Sequence, residues 1–125
     1  MKKTNMIKPA AIITGASSGI GKSLAIELSE KYFIYLVSRD IKKLENTKKI
    51  IHRKKNECEI ITADLTNEKS VNELYKKIPN KNQIELLINN AGIAIFKDIS
   101  NTSVDDWDKT INVNLRGAFL MTKSL

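Results

Sequence analysis

The sequence has few of the residues that build covalent or metal-held frameworks. Cys58 is the one cysteine and His52 the one histidine among 125 residues, which excludes an intramolecular disulfide and a four-cysteine zinc site. A lone thiol fits a reducing compartment and points to the cytoplasm. Glycine (5) and proline (2) are scarce, while hydrophobic residues make up 42% and charged residues 28%. That balance is globular rather than disordered or fibrous. No apolar run approaches the roughly 18 residues of a membrane-spanning helix. Met1-Lys2-Lys3 has the charge of a signal peptide, but the apolar stretch behind it, Ala10 to Ile13, is too short for a signal's hydrophobic region. The length suits one domain spanning residues 1–125.

Charge is unevenly placed. The net charge is +7, yet residues 1–55 hold 13 Lys or Arg against 4 Asp or Glu, and residues 56–125 hold 8 against 10. A basic half suits a polyanion. However, only Arg39, Arg53 and Arg116 are arginine and aromatics reach only 6%, whereas nucleic-acid readers depend on both. Eighteen of the 21 basic residues are lysine in a chain also rich in Ile and Asn, so the excess is read as a bias of the whole composition, and neither nucleic acid nor a membrane is expected as a partner.

What is present alternates in period. Ala10-Ala11-Ile12-Ile13-Thr14 is a short apolar run ending at a glycine turn, the pattern of a strand buried on both faces. Ile20, Leu24, Ala25 and Leu28 then recur at helical spacing within residues 19–31. Phe33 to Val37 reads as a second strand, Asp40 to Lys54 as a second helix and Glu59 to Thr62 as a third strand. Val71, Leu74, Tyr75 and Ile78 form one helical face that Pro79 ends. Ile84 to Ile88 is the fourth strand, and Ser103-Val104-Asp105-Asp106 resembles a capping box opening a helix toward Leu125. Strands separated by helices must run parallel, so the fold class is α/β, a doubly wound parallel sheet with helices on both faces. Ligands of such sheets sit beyond the carboxyl ends of the strands, which directs attention to the residues after Thr14, Val37, Thr62 and Ile88.

The first of these turns reads Thr14-Gly15-Ala16-Ser17-Ser18-Gly19-Ile20-Gly21. Gly15 permits a tight turn, Gly19 a diphosphate's approach to the backbone, and Gly21 close packing of the helix. Amide groups at the helix start complete an anion site. A plain strand-to-helix turn explains one glycine but hardly three. A phosphate-binding P-loop is a competing reading, since Ala16 followed by Gly21-Lys22-Ser23 fits if alanine replaces its first glycine, with Asp64 on the metal-binding strand. Gly15 then stands one residue out of place, and Lys22 is otherwise an exposed helix residue.

The spacing G-x-x-x-G-x-G, with Asn89-Asn90-Ala91-Gly92 after the fourth strand, resembles the short-chain dehydrogenase/reductase family. Asp64-Leu65 matches that family's adenine-contacting position, and Asn112-Val113-Asn114-Leu115-Arg116-Gly117 its N-x-x-G helix segment. All five glycines fall in these motifs. The resemblance implies a Rossmann-type sheet of order 3-2-1-4. It also implies that Gly15, Ser17, Ser18, Gly19, Ile20 and Gly21 form the cofactor loop. Asn90, Ala91 and Gly92 should then lie beside the cofactor ribose, with Asn114 as the catalytic Asn that holds a water in a proton relay. Asn89 is expected to tie neighbouring strands, and Trp107 to pack rather than bind. His52, among Arg53, Lys54 and Lys55, reads as solvent-facing. No metal site is expected.

Cofactor choice turns on Ser38-Arg39. An NAD site usually has an acidic residue at the end of the second strand, accepting hydrogen bonds from the ribose. Serine and arginine instead suit a 2′-phosphate, the guanidinium by pairing with it, and with them the family resemblance implies NADP(H) rather than NAD(H). The bland alternative leaves Arg39 in solvent and Asp40 capping the next helix.

The family's Ser and Tyr-x-x-x-Lys are not found. Four residues after Tyr32, Tyr35 and Tyr75 stand Leu36, Arg39 and Pro79. The expectation is the cofactor-binding amino-terminal half of an NADP(H)-linked oxidoreductase, ending before the catalytic strand. Its substrate would be a small carbonyl or alcohol, and the complete enzyme a homo-oligomer. The alternatives are a truncated, inactive product and a non-catalytic nucleotide-binding module.

Overall fold

A computed structural model describes residues 8–125; the amino-terminal lysines read above lie outside the described residues. Four parallel strands, β1 (Ala10–Thr14), β2 (Phe33–Ser38), β3 (Cys58–Thr62) and β4 (Ile84–Ile88), form one sheet in the order β3-β2-β1-β4. This is the expected incomplete Rossmann-type arrangement. Helices α1 (Gly19–Leu28), α2 (Ile41–Arg53) and α3 (Glu68–Lys76) alternate with the strands.

Alternation of side chains along β1 divides the core in two. Ala10 and Ile12 join Val37, Ile61, Leu74, Tyr75 and Met121 on one face. Ala11 and Ile13 join Leu36, Leu44, Ile51 and Cys58 on the other. β1 is buried throughout because it has a strand on each side and helices on both faces. β4, paired only with β1 among the described residues, leaves its apolar side chains half-exposed.

α1 is shorter than the sequence period predicts. It stops at Leu28, whose carbonyl accepts from both the Lys31 and Tyr32 amides as the chain turns toward β2, while the Ser29 hydroxyl donates to the Ile26 carbonyl at 2.6 Å and accepts from Asn56 Nδ2 at 3.1 Å. The last helix is not continuous α-helix. It comprises α4 (Val104–Ile111), a π-turn (Asn112–Arg116) and α5 (Gly117–Ser124). The capping box is present, with Ser103 and Asp106 each bonding the other's backbone N–H. Trp107 contradicts its expected packing role and is 60% exposed. The reason is that α4 buries none of its residues and finds no described element to cover that face. His52 is exposed as expected, and Cys58 is buried at the start of β3, its thiol pushed up to about 11 chiefly by burial.

Candidate functional site

Parallel register brings the carboxyl ends of the strands to one rim. Thr14 stands beside Val37, Ser38 beside Thr62, and Ile13 beside Ile88. The turns leaving those ends enclose a cleft of about 250 Å³.

The first wall is the turn from β1 to α1. Gly15 and Gly19 have φ of +68° and +55°, the left-handed region that side chains rarely adopt. Nothing lies within 4 Å of where a Cβ would stand on Gly19, so the backbone there is open to a ligand. A Cβ on Gly21 would collide with the Gly15 carbonyl and Asn90 Nδ2. Gly21 therefore lets the helix close on the turn and on the residues after β4. Asp40, Asn67 and Ser103 cap α2, α3 and α4 with their side chains, whereas Ser18 makes no such bond for α1, whose first turn also lacks an acidic residue. The amide groups and positive dipole end of α1 are thus available to an anion.

Hydrogen bonds lock this turn to its neighbours. Thr14 Oγ1 accepts from the Asn90 and Ala91 amides, both at 3.0 Å, and donates to the Ile88 carbonyl at 3.3 Å. Asn90 Nδ2 donates to the Thr14 and Gly15 carbonyls at 3.1 and 3.3 Å. The strand tie expected of Asn89 is thus made by Asn90. Asn89, the first residue past β4, reaches the other way, donating to Thr122 Oγ1 on α5 at 3.2 Å. From α2, the buried Thr47 hydroxyl donates to the Ala16 carbonyl at 3.0 Å.

Ser38 and Arg39 form the β2 wall. Ser38 Oγ donates to Ser17 Oγ at 3.2 Å and accepts from the Asp40 amide at 3.2 Å. Asp40 accepts from the Lys43 amide at 3.1 Å, so it does cap α2, yet Arg39 lines the cleft while remaining exposed. After β3, Asp64 Oδ1 accepts from the Thr66 hydroxyl and amide at 2.7 and 3.0 Å. These two bonds, aided by the Arg39 charge, hold the Asp64 carboxyl below the usual carboxylate value.

Of the residues singled out in the sequence, Gly15, Ser17, Ser18, Ser38, Arg39, Asp64, Leu65, Asn90, Ala91 and Gly92 line the cleft. Gly19, Ile20 and Gly21 stand beside it, Ile20 with its side chain 73% exposed. Asn114 is exposed and does not line the cleft. Its carboxamide pairs with both backbone groups of Ile93, accepting from the amide and donating to the carbonyl at 2.8 Å each. Sequence reasoning missed Ala63, Thr66, Ile93 and Val113, which also line the cleft. Their only signal is adjacency to the motif residues. Lys22, which a P-loop needs at its phosphate, is not among the lining residues.

The donor set fits a dinucleotide: an open glycine turn with free amides, a cation beyond β2, and backbone and amide groups after β4. Comparison with known proteins agrees with this geometry. The chain is 36% identical to an NAD-dependent glycerol dehydrogenase of Listeria innocua over 98% of its own length and 48% of that protein's. It is 38% identical to the 3-oxoacyl-(acyl-carrier-protein) reductase FabG of Buchnera aphidicola, over 100% of its length and 50% of the reductase. It therefore spans about half the length of the curated relatives it matches. Among solved structures, a metagenomic short-chain oxidoreductase in complex with NADP superposes with a TM-score of 0.88 at 28% identity, covering 94% of this chain and 54% of that one. Residues 9–125 match the short chain dehydrogenase family, and the chain belongs to it.

Proposed function

We propose that residues 1–125 are the NADP(H)-binding amino-terminal part of an oxidoreductase that acts on a small carbonyl or alcohol. The observation that carries this reading is the glycine turn at the head of α1, the one α-helix of the β-α alternation whose N-cap makes no side-chain bond, with Gly15, Ser17 and Ser18 of that turn lining the cleft. Gly15, Ser17, Ser18, Gly19, Ile20 and Gly21 would hold the diphosphate, and Asn90, Ala91 and Gly92 the ribose on the β4 side. Asp64 and Leu65 would bound the adenine. Ser38 and Arg39 would receive the 2′-phosphate, and this favours NADP(H) over NAD(H).

The bound nicotinamide supplies or accepts the hydride. What this chain's residues do is bind and orient. Asn114 commits one donor and one acceptor to Ile93, which fixes the loop after β4 and leaves one N–H and one lone pair for a water. The chain has no Tyr-x-x-x-Lys, so the 125-residue polypeptide should bind cofactor without turning over a carbonyl. Turnover, and a homo-oligomeric state, belong to a complete enzyme. No described helix is long and apolar enough to cross a membrane, and we place the protein in the cytoplasm on its lone, buried thiol.

Calorimetric titration with NADPH and NADH tests the reading. Arg39→Ala should weaken NADPH by about 10- to 100-fold, the worth of a charge-assisted contact, and NADH by far less. Equal losses for the two nucleotides would remove the NADP(H) assignment. No binding of either by the unaltered chain would remove the cofactor site.

A further inference from the structure

The π-turn between α4 and α5 touches both sides of the cleft. Toward β4, Asn114 holds Ile93 as described. Toward β3, Arg116 Nε donates to the Thr66 carbonyl at 3.2 Å. The next residue, Gly117, sits so close to the same loop that an added Cβ would stand 3.3 Å from Leu65 Cβ. Thr66 in turn donates twice to Asp64. The loop is also tied to the start of α3, where the Asp64 amide donates to Ser70 Oγ at 2.9 Å and the Asp64 carbonyl accepts from the Asn67 amide at 3.3 Å.

We propose that Arg116 is a positioning residue for the nucleotide: through the Thr66 carbonyl it fixes the loop of residues 64–66, the wall that bounds the adenine. This rests on the cofactor reading above and adds to it a residue that does not itself line the cleft. The two bonds between Thr66 and Asp64 lie within the loop and move with it. Among the described residues, the Ser70 bond and the Asn67 amide at the head of α3 anchor its first residue, Asp64, and the Arg116 bond, with the Gly117 contact, anchors its far end. The π-turn is what brings Arg116 here, since an extra residue in one turn rotates all that follows it relative to a regular helix. Arg116 is exposed, so its bond competes with water and its effect is moderate.

Glutamine places its amide nitrogen at the same position along the side chain as arginine Nε. Arg116→Gln therefore keeps the donor and drops the charge, whereas Arg116→Ala removes both. For the 125-residue chain, Arg116→Ala should raise the Kd for NADPH and for 2′,5′-ADP by the same factor, about five-fold, and Arg116→Gln by less than about two-fold. Without nucleotide, hydrogen exchange at the Thr66 amide should quicken about five-fold in the alanine variant and stay near wild type in the glutamine variant. If glutamine loses as much affinity as alanine, the charge and not the bond is at work and the inference fails. It fails alone if alanine binds like wild type. A wild-type chain that binds neither nucleotide overturns the cofactor reading instead, and the exchange rates then decide whether Arg116 holds the loop.

Discussion

Asp64 is half-buried, and its ionised form is held by Thr66 more than by any cation, with Arg39 adding a smaller push in the same direction. A carboxyl whose folded pKa lies below its ordinary 3.8 adds stability that is fully present above that pH and is lost as pH falls through the folded value. Urea unfolding of wild type and Asp64→Asn should therefore differ at pH 7, and the gap should close on acidification below about pH 4. A gap that persists unchanged to pH 3 would assign the effect to shape rather than charge. Gly21 makes a steric prediction. Its missing Cβ is the space taken by the Gly15 carbonyl and Asn90 Nδ2, so Gly21→Ala should cost about 1–3 kcal/mol in denaturant unfolding. Nucleotide affinity should fall with it, because the turn and Asn90 would have to part.

At the scale of elements, α5 is held against α3 by one buried bond. The Tyr75 hydroxyl donates to the Met121 carbonyl at 2.7 Å, and the ring is 1% exposed. Tyr75→Phe should cost about 1 kcal/mol at neutral pH. Burial pushes the Tyr75 pKa up to about 12 from an ordinary 10.0. A raised folded value means the stabilisation is whole below pH 10 and is lost as pH rises toward 12. Alkaline titration of stability should thus show a decline in wild type that Tyr75→Phe lacks. The end of α2 offers the opposite sign. Lys55 adopts φ +62° just past the helix, a left-handed cap that glycine fills without Cβ strain. Lys55→Gly should raise stability by about 0.5–1 kcal/mol, read as a shift in urea midpoint at constant slope.

For the molecule as a whole, the sheet of the described residues ends on β4, whose Ile84, Leu86, Leu87 and Ile88 are only half-buried, and Phe119 on α5 is 58% exposed. An unpaired strand edge with apolar side chains templates association. Sedimentation velocity on the 125-residue polypeptide should show mass rising with concentration. A single monomeric species across the accessible range would mean that the edge is protected in solution.

Periodicity alone disclosed the alternation of four strands with helices, because the period of two or of three to four residues is imposed by which face meets the core. The glycine turn, Asp64-Leu65, the Asn-Asn-Ala-Gly segment and the family they belong to were likewise legible, since backbone conformation and close approach admit few residue types there. The rim where these segments meet followed from parallel strands. Other features came only from tertiary packing. That Asn90 rather than Asn89 ties the end of β4 to β1 depends on where the chain turns each side chain once it has left the strand. The π-turn, the pairing of Asn114 with Ile93 and the reach of Arg116 to Thr66 depend on contacts across tens of residues. No local pattern encodes them, because the Asn114 and Arg116 side chains bond partners that only the folded sheet brings within reach.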